Sequence, residues 1–285
     1  MDINYFFRKV KRLIVRSLKR IVNYFGLDII KSSDYKNMIE INTMFTEKLN
    51  LQKRLLHDQL FLKTLSNQKM LQNQIEELIL RSKSSELHQD IMVLVLTNFR
   101  QGLYFVEFGA ADGISGSNTF LLENGFNWTG ILAEPAKIWS EDLKLNRPNA
   151  NIELDCVWSD SNSELIFNET PDAPVFSTLY EYRDSDIHYN SRKQSKRYKV
   201  KTISLNDLLD KYNAPSHINY LSIDTEGSEF KILNSLDWDR YSFDVITCEH
   251  NYSPQREEIL KLLTTKGYKR IFESLSQYED WYVKN

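Results

Sequence analysis

The chain has 285 residues, enough for one large domain or for one domain with an appendage. Apolar residues make up 41% of it, which suffices for a core, and the net charge of −3 with a pI near 6.0 gives no sign of a nucleic-acid partner. No stretch approaches the roughly 20 uncharged apolar residues of a membrane span. Charges interrupt every apolar run before residue 30, so no signal peptide is predicted either.

The cysteine content indicates a reducing compartment. The two cysteines, Cys156 and Cys248, both lie inside apolar runs and lack the spacing of metal ligands. We therefore predict reduced core residues, with a disulfide as the less favoured alternative. Together with the missing signal peptide, this predicts a cytoplasmic protein.

The first predicted element is a basic amphipathic helix. Residues 5–25 carry apolar side chains at helical spacing, and the basic residues fall mostly on the other side. Residues 1–31 contain eight basic and two acidic residues, which gives this segment a net charge of +6. The pattern predicts peripheral contact with an anionic membrane on the cytoplasmic face, or with a partner. Packing against the protein's own domain is the alternative.

Helices are also predicted between Gly26 and Gly102, because this stretch contains neither glycine nor proline and is rich in helix formers. Its apolar stripes do not keep a strict heptad. This favours a helical hairpin or a short self-associating helix, and with it a homo-oligomer, over a long coiled coil. Serines and charges at 82–86 indicate a boundary. We predict a helical N-terminal region over 1–90 and a second domain over 91–285.

From residue 103 the pattern alternates between strands and helices, which predicts an α/β fold with a mostly parallel sheet and helices on both faces. The apolar run LYFVEF forms the first strand and leads into the turn GAADG at residues 109–113. Gly125 is predicted to end the helix over 118–124, and the polar stretch 168–198 to be a long functional or disordered loop. The further predicted strands are 130–134, 152–158, 164–168, 199–203, 218–224, 243–249 and a closing antiparallel hairpin of 268–272 and 281–283.

Acidic residues follow several of these strands at the point where each strand ends. The four are Glu107, Glu134, Asp224 and Glu249. Because the carboxyl ends of parallel strands meet at one edge of a sheet, these carboxylates indicate a site. Glu134 follows Glu107 by one βαβ unit, where an acid accepts hydrogen bonds from ribose hydroxyls. Asp155 could similarly meet an adenine amino group, or it is a solvated acid at a strand edge.

The turn after the first strand predicts a nucleotide cradle. Gly109 and Gly113 allow a positive φ or a close approach to a ligand. With Gly116 they do not match the G-x-G-x-x-G dinucleotide fingerprint. A purely structural turn is the alternative.

Several motifs follow one another along the chain: VEFGAADG with SNT after it, LAEP, TISLNDLLD, YLSIDTEGSEFKIL, CEHNY and the closing EDWYV. In this order they resemble the FkbM family of S-adenosylmethionine-dependent methyltransferases. The resemblance implies the class I methyltransferase fold, a Rossmann-like sheet of seven strands that is parallel except for the last strand. It also implies S-adenosylmethionine as cofactor and hydroxyl groups, often on sugars or secondary metabolites, as acceptors.

The resemblance assigns cofactor residues as well. It places Glu107, Gly109 and Gly113 around the amino acid moiety of the cofactor. Asn118 of the SNT segment is also predicted to bind the cofactor. The resemblance places Glu134 at the ribose. The N-terminal helices and the 168–198 stretch lie outside the shared pattern, so the resemblance does not identify the acceptor.

An alcohol acceptor needs a general base or a metal ion to become nucleophilic. Asp224, Glu226 and His250 are the predicted catalytic residues, because they fall at the mouth of the site. Mg²⁺ held by Asp224, Glu249 and Asn251 is the alternative. We favour the metal-free route, in which methyl transfer survives a chelator while His250→Ala and Glu226→Gln each lose about a hundredfold in activity or more.

The sequence thus predicts an O-methyltransferase that acts on a hydroxyl of a glycan or small hydroxylated acceptor, with no nucleic-acid partner. A nicotinamide-dependent oxidoreductase is the alternative enzyme, and the missing dinucleotide fingerprint counts against it. A scaffold without catalysis, which binds a membrane or partner through the N-terminal helices, is the alternative of another class.

Overall fold

We describe the protein from a computed structural model, which covers residues 32–65, 69–82, 84–186 and 188–285. The predicted basic helix over 5–25 lies outside these residues. The chain divides into two compact units, Met1–Asp58 and Gln59–Asn285, and the predicted domain boundary at residue 90 stays a prediction. No helix in the described part of the chain is long and apolar enough to cross a membrane.

Helices precede the first strand, as predicted from the absence of glycine and proline. They are α1 (Ser32–Leu65), α2 (Lys69–Arg81) and α3 (Gln89–Leu96). In the first unit, α1 exposes large apolar side chains such as Ile41 and Phe45. The self-association predicted for these helices stays a prediction. In the second unit, Phe61, Ile75 and Ile91 are buried in one core.

Eleven strands form two sheets in the described residues. The strands are β1 (Tyr104–Phe108), β2 (Thr129–Ala133), β3 (Asn151–Glu153), β4 (Cys156–Trp158), β5 (Glu164–Glu169), β6 (Thr178–Leu179), β7 (Lys196–Ser204), β8 (His217–Ile223), β9 (Ser242–Glu249), β10 (Tyr268–Ile271) and β11 (Glu279–Lys284). The larger sheet has the order β3-β2-β1-β8-β9-β11-β10. Its neighbours are parallel except that β11 runs antiparallel to both β9 and β10. This confirms the predicted seven-stranded sheet with its antiparallel last strand.

Helices cover both faces of this sheet. The further helices are α4 (Phe120–Phe126), α5 (Ser140–Asn146), α6 (Leu205–Lys211), α7 (Glu229–Ser235), α8 (Gln255–Thr265) and α9 (Glu273–Ser276). Val106 packs with α6, α7 and α8 on one face, whereas its neighbour Phe105 packs with α3, α4 and α5 on the other. Cys156 and Cys248 are both buried and unpaired, as predicted for core residues.

The predicted third strand over Ile152–Trp158 is wrong as a single strand. The structure divides it into β3, at the edge of the larger sheet, and β4, which pairs with β7 in a smaller sheet of order β4-β7-β5-β6. The physical reason lies at Glu153. Its carboxylate accepts hydrogen bonds from the backbone N–H groups of Leu154 and Asp155, both at 3.0 Å, and so ends the strand.

The helix after β1 begins and ends later than predicted. Gly125 lies inside α4, and the helix ends at Phe126, because Asn127 after it adopts the left-handed conformation with φ 55°. The predicted start at Asn118 is also wrong, because the backbone N–H of Asn118 donates to Glu107 and the helix begins at Phe120.

The stretch over 168–198 is more ordered than a loop. Its end forms the start of β7, and β6 lies inside it, so that both strands pair with β5. This stretch therefore belongs to the smaller sheet, and it contributes residues to the candidate site described next.

Candidate active site

The carboxylate of Glu107, near the end of β1, organises the turn that leads into α4. It accepts hydrogen bonds from the backbone N–H of Asn118 at 2.7 Å, the hydroxyl of Ser117 at 3.0 Å and the hydroxyl of Thr119. Glu107 is only 3% exposed, and burial raises its pKa although the charge of Arg147 lowers it. Glu107 thus holds the turn in place through hydrogen bonds to residues 117–119. Its predicted contact with the cofactor stays a prediction.

Asn118 joins the same turn to the neighbouring strand. Its side-chain amide donates to the hydroxyl of Ser222 at 3.0 Å, and the hydroxyl of Ser85 donates to its amide oxygen at 3.1 Å. The side chain is buried. Asn118 therefore connects β8 to the turn after β1, and like Glu107 it is a buried residue that stabilises this turn.

The sequence analysis missed Arg147, the residue that ties this turn together. The guanidinium is fully buried and donates to the carboxylate of Glu123 at 2.7 Å and to the carbonyl of Gly113 at 3.0 Å. It also donates to the hydroxyls of Ser117 at 3.1 Å and Thr119 at 3.0 Å. These partners lie 24 to 34 residues away along the chain, so no local spacing marks Arg147.

Two glycines let the turn pack closely, and both adopt the predicted positive φ. Gly109 has φ 74°, and a Cβ there would lie 1.8 Å from the backbone oxygen of Asp224. Gly113 has φ 80°, and a Cβ there would lie 2.6 Å from the side chain of Arg147. The missing side chains thus make room for the protein's own groups, which brings the ends of β1 and β8 together.

Glu134 follows β2 and faces the turn after β1. Its carboxylate accepts hydrogen bonds from the backbone N–H groups of Ala111 at 3.0 Å and Ala136 at 2.7 Å. Burial raises the pKa of Glu134 to about 7. Each of these two carboxylate oxygens accepts one hydrogen bond here and has capacity for a second. Glu134 can therefore still bind hydroxyl donors, as its predicted ribose contact requires.

Asp155 lies in the gap between β3 and β4, close to Cys156. Burial raises the pKa of the Cys156 thiol to about 12, and the nearby carboxylates of Glu134 and Asp155 also raise it. The structure therefore brings the two predicted cofactor acids to the same region. The contact of Asp155 with adenine stays a prediction.

Three carboxylates form a cluster at the ends of β8 and β9. Asp224, Glu226 and Glu249 offer oxygens that all lie within 4.8 Å of one another. When one of them holds a proton, the neighbouring carboxylates of Asp224 and Glu249 can share a hydrogen bond. Burial raises all three pKa values, that of Asp224 to about 7, and the charge of Asp224 further raises those of Glu226 and Glu249. The cluster can therefore accept and release a proton near neutral pH.

The same cluster fits Mg²⁺ only in part. Hard oxygen ligands are present, since Asp224 and Glu249 lie together. However, the guanidinium of Arg192 donates to Glu226 at 2.6 Å, and the amide nitrogen of Asn251 donates to the same oxygen at 3.2 Å. A cation at this position would face the positive charge of Arg192. Asn251 thus presents a donor group where a metal site needs an acceptor.

Arg192 connects the 168–198 stretch to the cluster, which the sequence analysis missed because it placed this residue in a polar loop. The residue is 3% exposed. Its guanidinium donates to both carboxylate oxygens of Asp186 at 3.0 Å and to the carbonyl of Phe176 at 2.7 Å. The hydroxyl of Thr178 donates to the backbone carbonyl of Glu226 at 2.9 Å. The stretch therefore packs directly on the turn that carries Glu226.

His250 is buried beside the cluster, and of its two ring nitrogens only Nδ1 has a hydrogen-bond partner among the described residues. Nδ1 accepts the backbone N–H of Tyr252 at 3.0 Å, and Nε2 lies 3.8 Å from a carboxylate oxygen of Asp280. Burial lowers the pKa of His250 to about 4, so the ring is neutral at pH 7. The ring nitrogens thus face Tyr252 and Asp280, and the predicted role of His250 as a base stays a prediction.

Comparison with known protein families matches residues 107–270 to the methyltransferase FkbM domain. No curated protein sequence matches the chain significantly. Solved structures to which this chain is similar include the O-methyltransferase from Bacillus cereus in complex with SAH. It is 10% identical, with a TM-score of 0.39, and the alignment covers 93% of this chain and 95% of that chain.

Two further structures are similar at the same level. Precorrin-6y C5,15-methyltransferase from Geobacter metallireducens is 10% identical, with a TM-score of 0.39 and coverage of 68% of this chain and 85% of that chain. Methyltransferase FkbM from Methylobacillus flagellatus is 12% identical, with a TM-score of 0.40, and the alignment covers 64% of this chain and 43% of that chain. The family match covers more than half of the sequence and includes the turn after β1 and the carboxylate cluster. The chain therefore belongs to the FkbM family of S-adenosylmethionine-dependent methyltransferases.

Proposed function

We propose that this protein transfers the methyl group of S-adenosylmethionine to a hydroxyl of a glycan or of a small hydroxylated acceptor. The observation that carries the proposal is the cluster of Asp224, Glu226 and Glu249 beside the turn after β1. A partly buried carboxylate whose pKa lies near 7 is suited to remove a proton from an alcohol at neutral pH. The family match favours methyl transfer over the nicotinamide-dependent alternative.

The protein's part in the reaction is to position the acceptor and to remove its proton. When bound, S-adenosylmethionine supplies an electrophilic methyl group, so the acceptor oxygen must be held in line with it. We assign the base to Asp224, which receives the hydrogen bond of protonated Glu249. Glu226, fixed by Arg192 and Asn251, orients the acceptor through a second hydrogen bond.

The cofactor assignment is tested at Glu134. Glu134→Ala is expected to weaken S-adenosylmethionine binding by about 1–3 kcal/mol, because it removes charge-assisted hydrogen bonds to two hydroxyls. Isothermal calorimetry measures the change. Glu164→Ala is the control, since Glu164 is exposed on β5 and pairs with Lys199 on the surface of the smaller sheet, and we expect its affinity to equal that of wild type. A folded Glu134→Ala variant with wild-type affinity would show that Glu134 does not bind the cofactor.

The reaction itself is tested by incubating the full chain with isotopically labelled S-adenosylmethionine and a panel of neutral and acidic glycans. The expected product is a methyl ether, which resists alkali, whereas a methyl ester does not.

Methyl transfer is expected to continue in the presence of a chelator, since Arg192 already supplies positive charge at Glu226. Loss of activity in the chelator with recovery in Mg²⁺ would instead assign Asp224 and Glu249 as metal ligands. Binding of S-adenosylmethionine without methyl transfer to any acceptor of the panel would favour the alternative of a scaffold without catalysis.

We also propose that residues 1–31 place the protein on anionic membranes from the cytoplasmic side. Their +6 charge predicts salt-sensitive binding to vesicles that contain anionic lipids, and little binding to neutral vesicles. Deletion of these residues should remove the binding and leave cofactor affinity intact. Co-sedimentation at low and high salt measures it, and equal binding to both kinds of vesicle would contradict an electrostatic contact.

A further inference from the structure

The stretch between Asp186 and Asp207 has a one-sided charge. It contains six lysines and arginines and no acidic residue, in a chain whose net charge is −3. Arg192 is buried at the candidate site, but the other five are exposed. They are Lys193, Lys196, Arg197, Lys199 and Lys201. Five exposed cations within nine residues form a basic surface that the proposed reaction does not by itself require.

Strand β7 arranges three of these cations in a row. Because side chains alternate along a strand, Arg197, Lys199 and Lys201 share one face and are roughly 7 Å apart. Val200, between them, is buried in the core of the smaller sheet. Glu164 on β5 pairs with Lys199 at 2.7 Å and stands opposite Lys201 in the register. Three cations against the carboxylate of Glu164 leave an excess of positive charge on this row.

The row continues onto the turn that begins with Tyr180. The guanidinium of Arg197 lies 4.3 Å from the centroid of the Tyr180 ring, and that of Arg183 lies 3.9 Å from it. Tyr180 therefore brings two guanidinium groups together. Arg183 also pairs with Asp184 at 3.1 Å, and the Arg183 side chain remains 34% exposed.

The same turn reaches the carboxylate cluster. Tyr182, two residues after Tyr180, packs on Gly227, where an added Cβ would lie 3.0 Å from the tyrosine side chain. Gly227 directly follows Glu226. The turn at the end of the basic row therefore packs next to the turn that carries Glu226.

We propose that this basic face, formed by Arg183, Arg197, Lys199 and Lys201, binds an anionic glycan, and that the acceptor of the proposed reaction is an acidic polysaccharide. The inference rests on the proposed function. A cluster of carboxylates repels an anion, so the charged groups of the acceptor need a separate place to bind. The basic face holds them while a neutral hydroxyl of the same chain enters the cluster. Regularly spaced cations suit a polymer that repeats its carboxylate or sulfate groups.

The experiment compares dextran sulfate with uncharged dextran of equal length, using the full chain and isothermal calorimetry. Dextran sulfate is expected to bind with an affinity that falls as salt rises, whereas dextran is not expected to bind. The double variant Arg197→Gln/Lys201→Gln is expected to bind dextran sulfate about tenfold more weakly, or worse. The matched control is Lys261→Gln/Lys269→Gln, which removes two exposed lysines of α8 and β10 and should leave the affinity unchanged.

Wild-type affinity in the Arg197→Gln/Lys201→Gln variant would overturn the proposal, and so would an equal loss in the control. Anionic vesicles that bind through Arg197 and Lys201 while dextran sulfate does not would assign the face to a membrane instead. Binding of S-adenosylmethionine is measured on the same samples. A chain that binds dextran sulfate but not the cofactor would contradict the proposed function and leave the glycan surface standing.

Discussion

Replacing Arg147 by methionine is expected to lower the free energy of unfolding by about 3–5 kcal/mol and to abolish measurable S-adenosylmethionine binding. The guanidinium lies 2.6 Å from Glu123 and 4.0 Å from Glu107, and all three side chains are buried. Without it, two buried carboxylates lose their counter-charge and the carbonyl of Gly113 loses its donor. The turn after β1 should then lose its fixed shape. Urea denaturation measures the stability, and calorimetry measures the binding.

Arg81→Met is the matched control for this experiment. Arg81 is 69% exposed and pairs with Glu77 on the surface of α2, so its loss should change the unfolding free energy by less than about 1 kcal/mol. Arg147→Lys keeps the positive charge but not the planar guanidinium, so its loss of unfolding free energy should lie between those of Arg147→Met and Arg81→Met. If Arg147→Met were as stable as Arg81→Met and bound the cofactor normally, the buried network would not be what holds the turn.

Asp224→Asn is expected to reduce kcat at least about a hundredfold while S-adenosylmethionine still binds, because the amide cannot remove the acceptor's proton. The pKa of Asp224 is raised to about 7, mainly by burial. The base must be deprotonated to act, so the wild-type rate should fall about tenfold for each pH unit below 7. Rates over pH 5 to 9, with the acceptor identified in the glycan panel, measure this. The residual activity of Asp224→Asn should lack the dependence on pH.

Glu249→Gln provides the comparison for Asp224. A glutamine keeps a neutral hydrogen-bond donor beside Asp224, as protonated Glu249 does, so activity should stay within about tenfold of wild type. The pH profile of the wild-type rate separates Asp224 from His250 as candidate bases. A base at His250, whose pKa lies near 4, would leave the rate flat above pH 5. With Asp224 as the base, His250→Ala should keep the wild-type dependence on pH. An unchanged pH profile in Asp224→Asn would remove Asp224 from the role of base.

The sequence pattern was sufficient for the parts of the fold that local rules determine. The apolar runs of β1, β8 and β9 each have an acid at or next to their carboxyl end, and parallel strands place such ends at one edge of the sheet. This is why Asp224 and Glu249 could be placed together before the structure was known. It was not sufficient at Ile152–Trp158, where the apolar pattern is continuous but the carboxylate of Glu153 binds the next two backbone N–H groups and interrupts the strand.

Only the tertiary structure identified the buried arginines. A sequence presents Arg147 and Arg192 as charged residues, which are solvated by default. Glu123, which pairs with Arg147, lies 24 residues away along the chain, and Glu226, which pairs with Arg192, lies 34 residues away. Burial becomes favourable only when the folded chain gathers enough carboxylates and carbonyls around each guanidinium to replace water. The strand order thus determined which acids meet at the sheet edge. The folded packing decided which cations hold the turn after β1 and the carboxylate cluster in place.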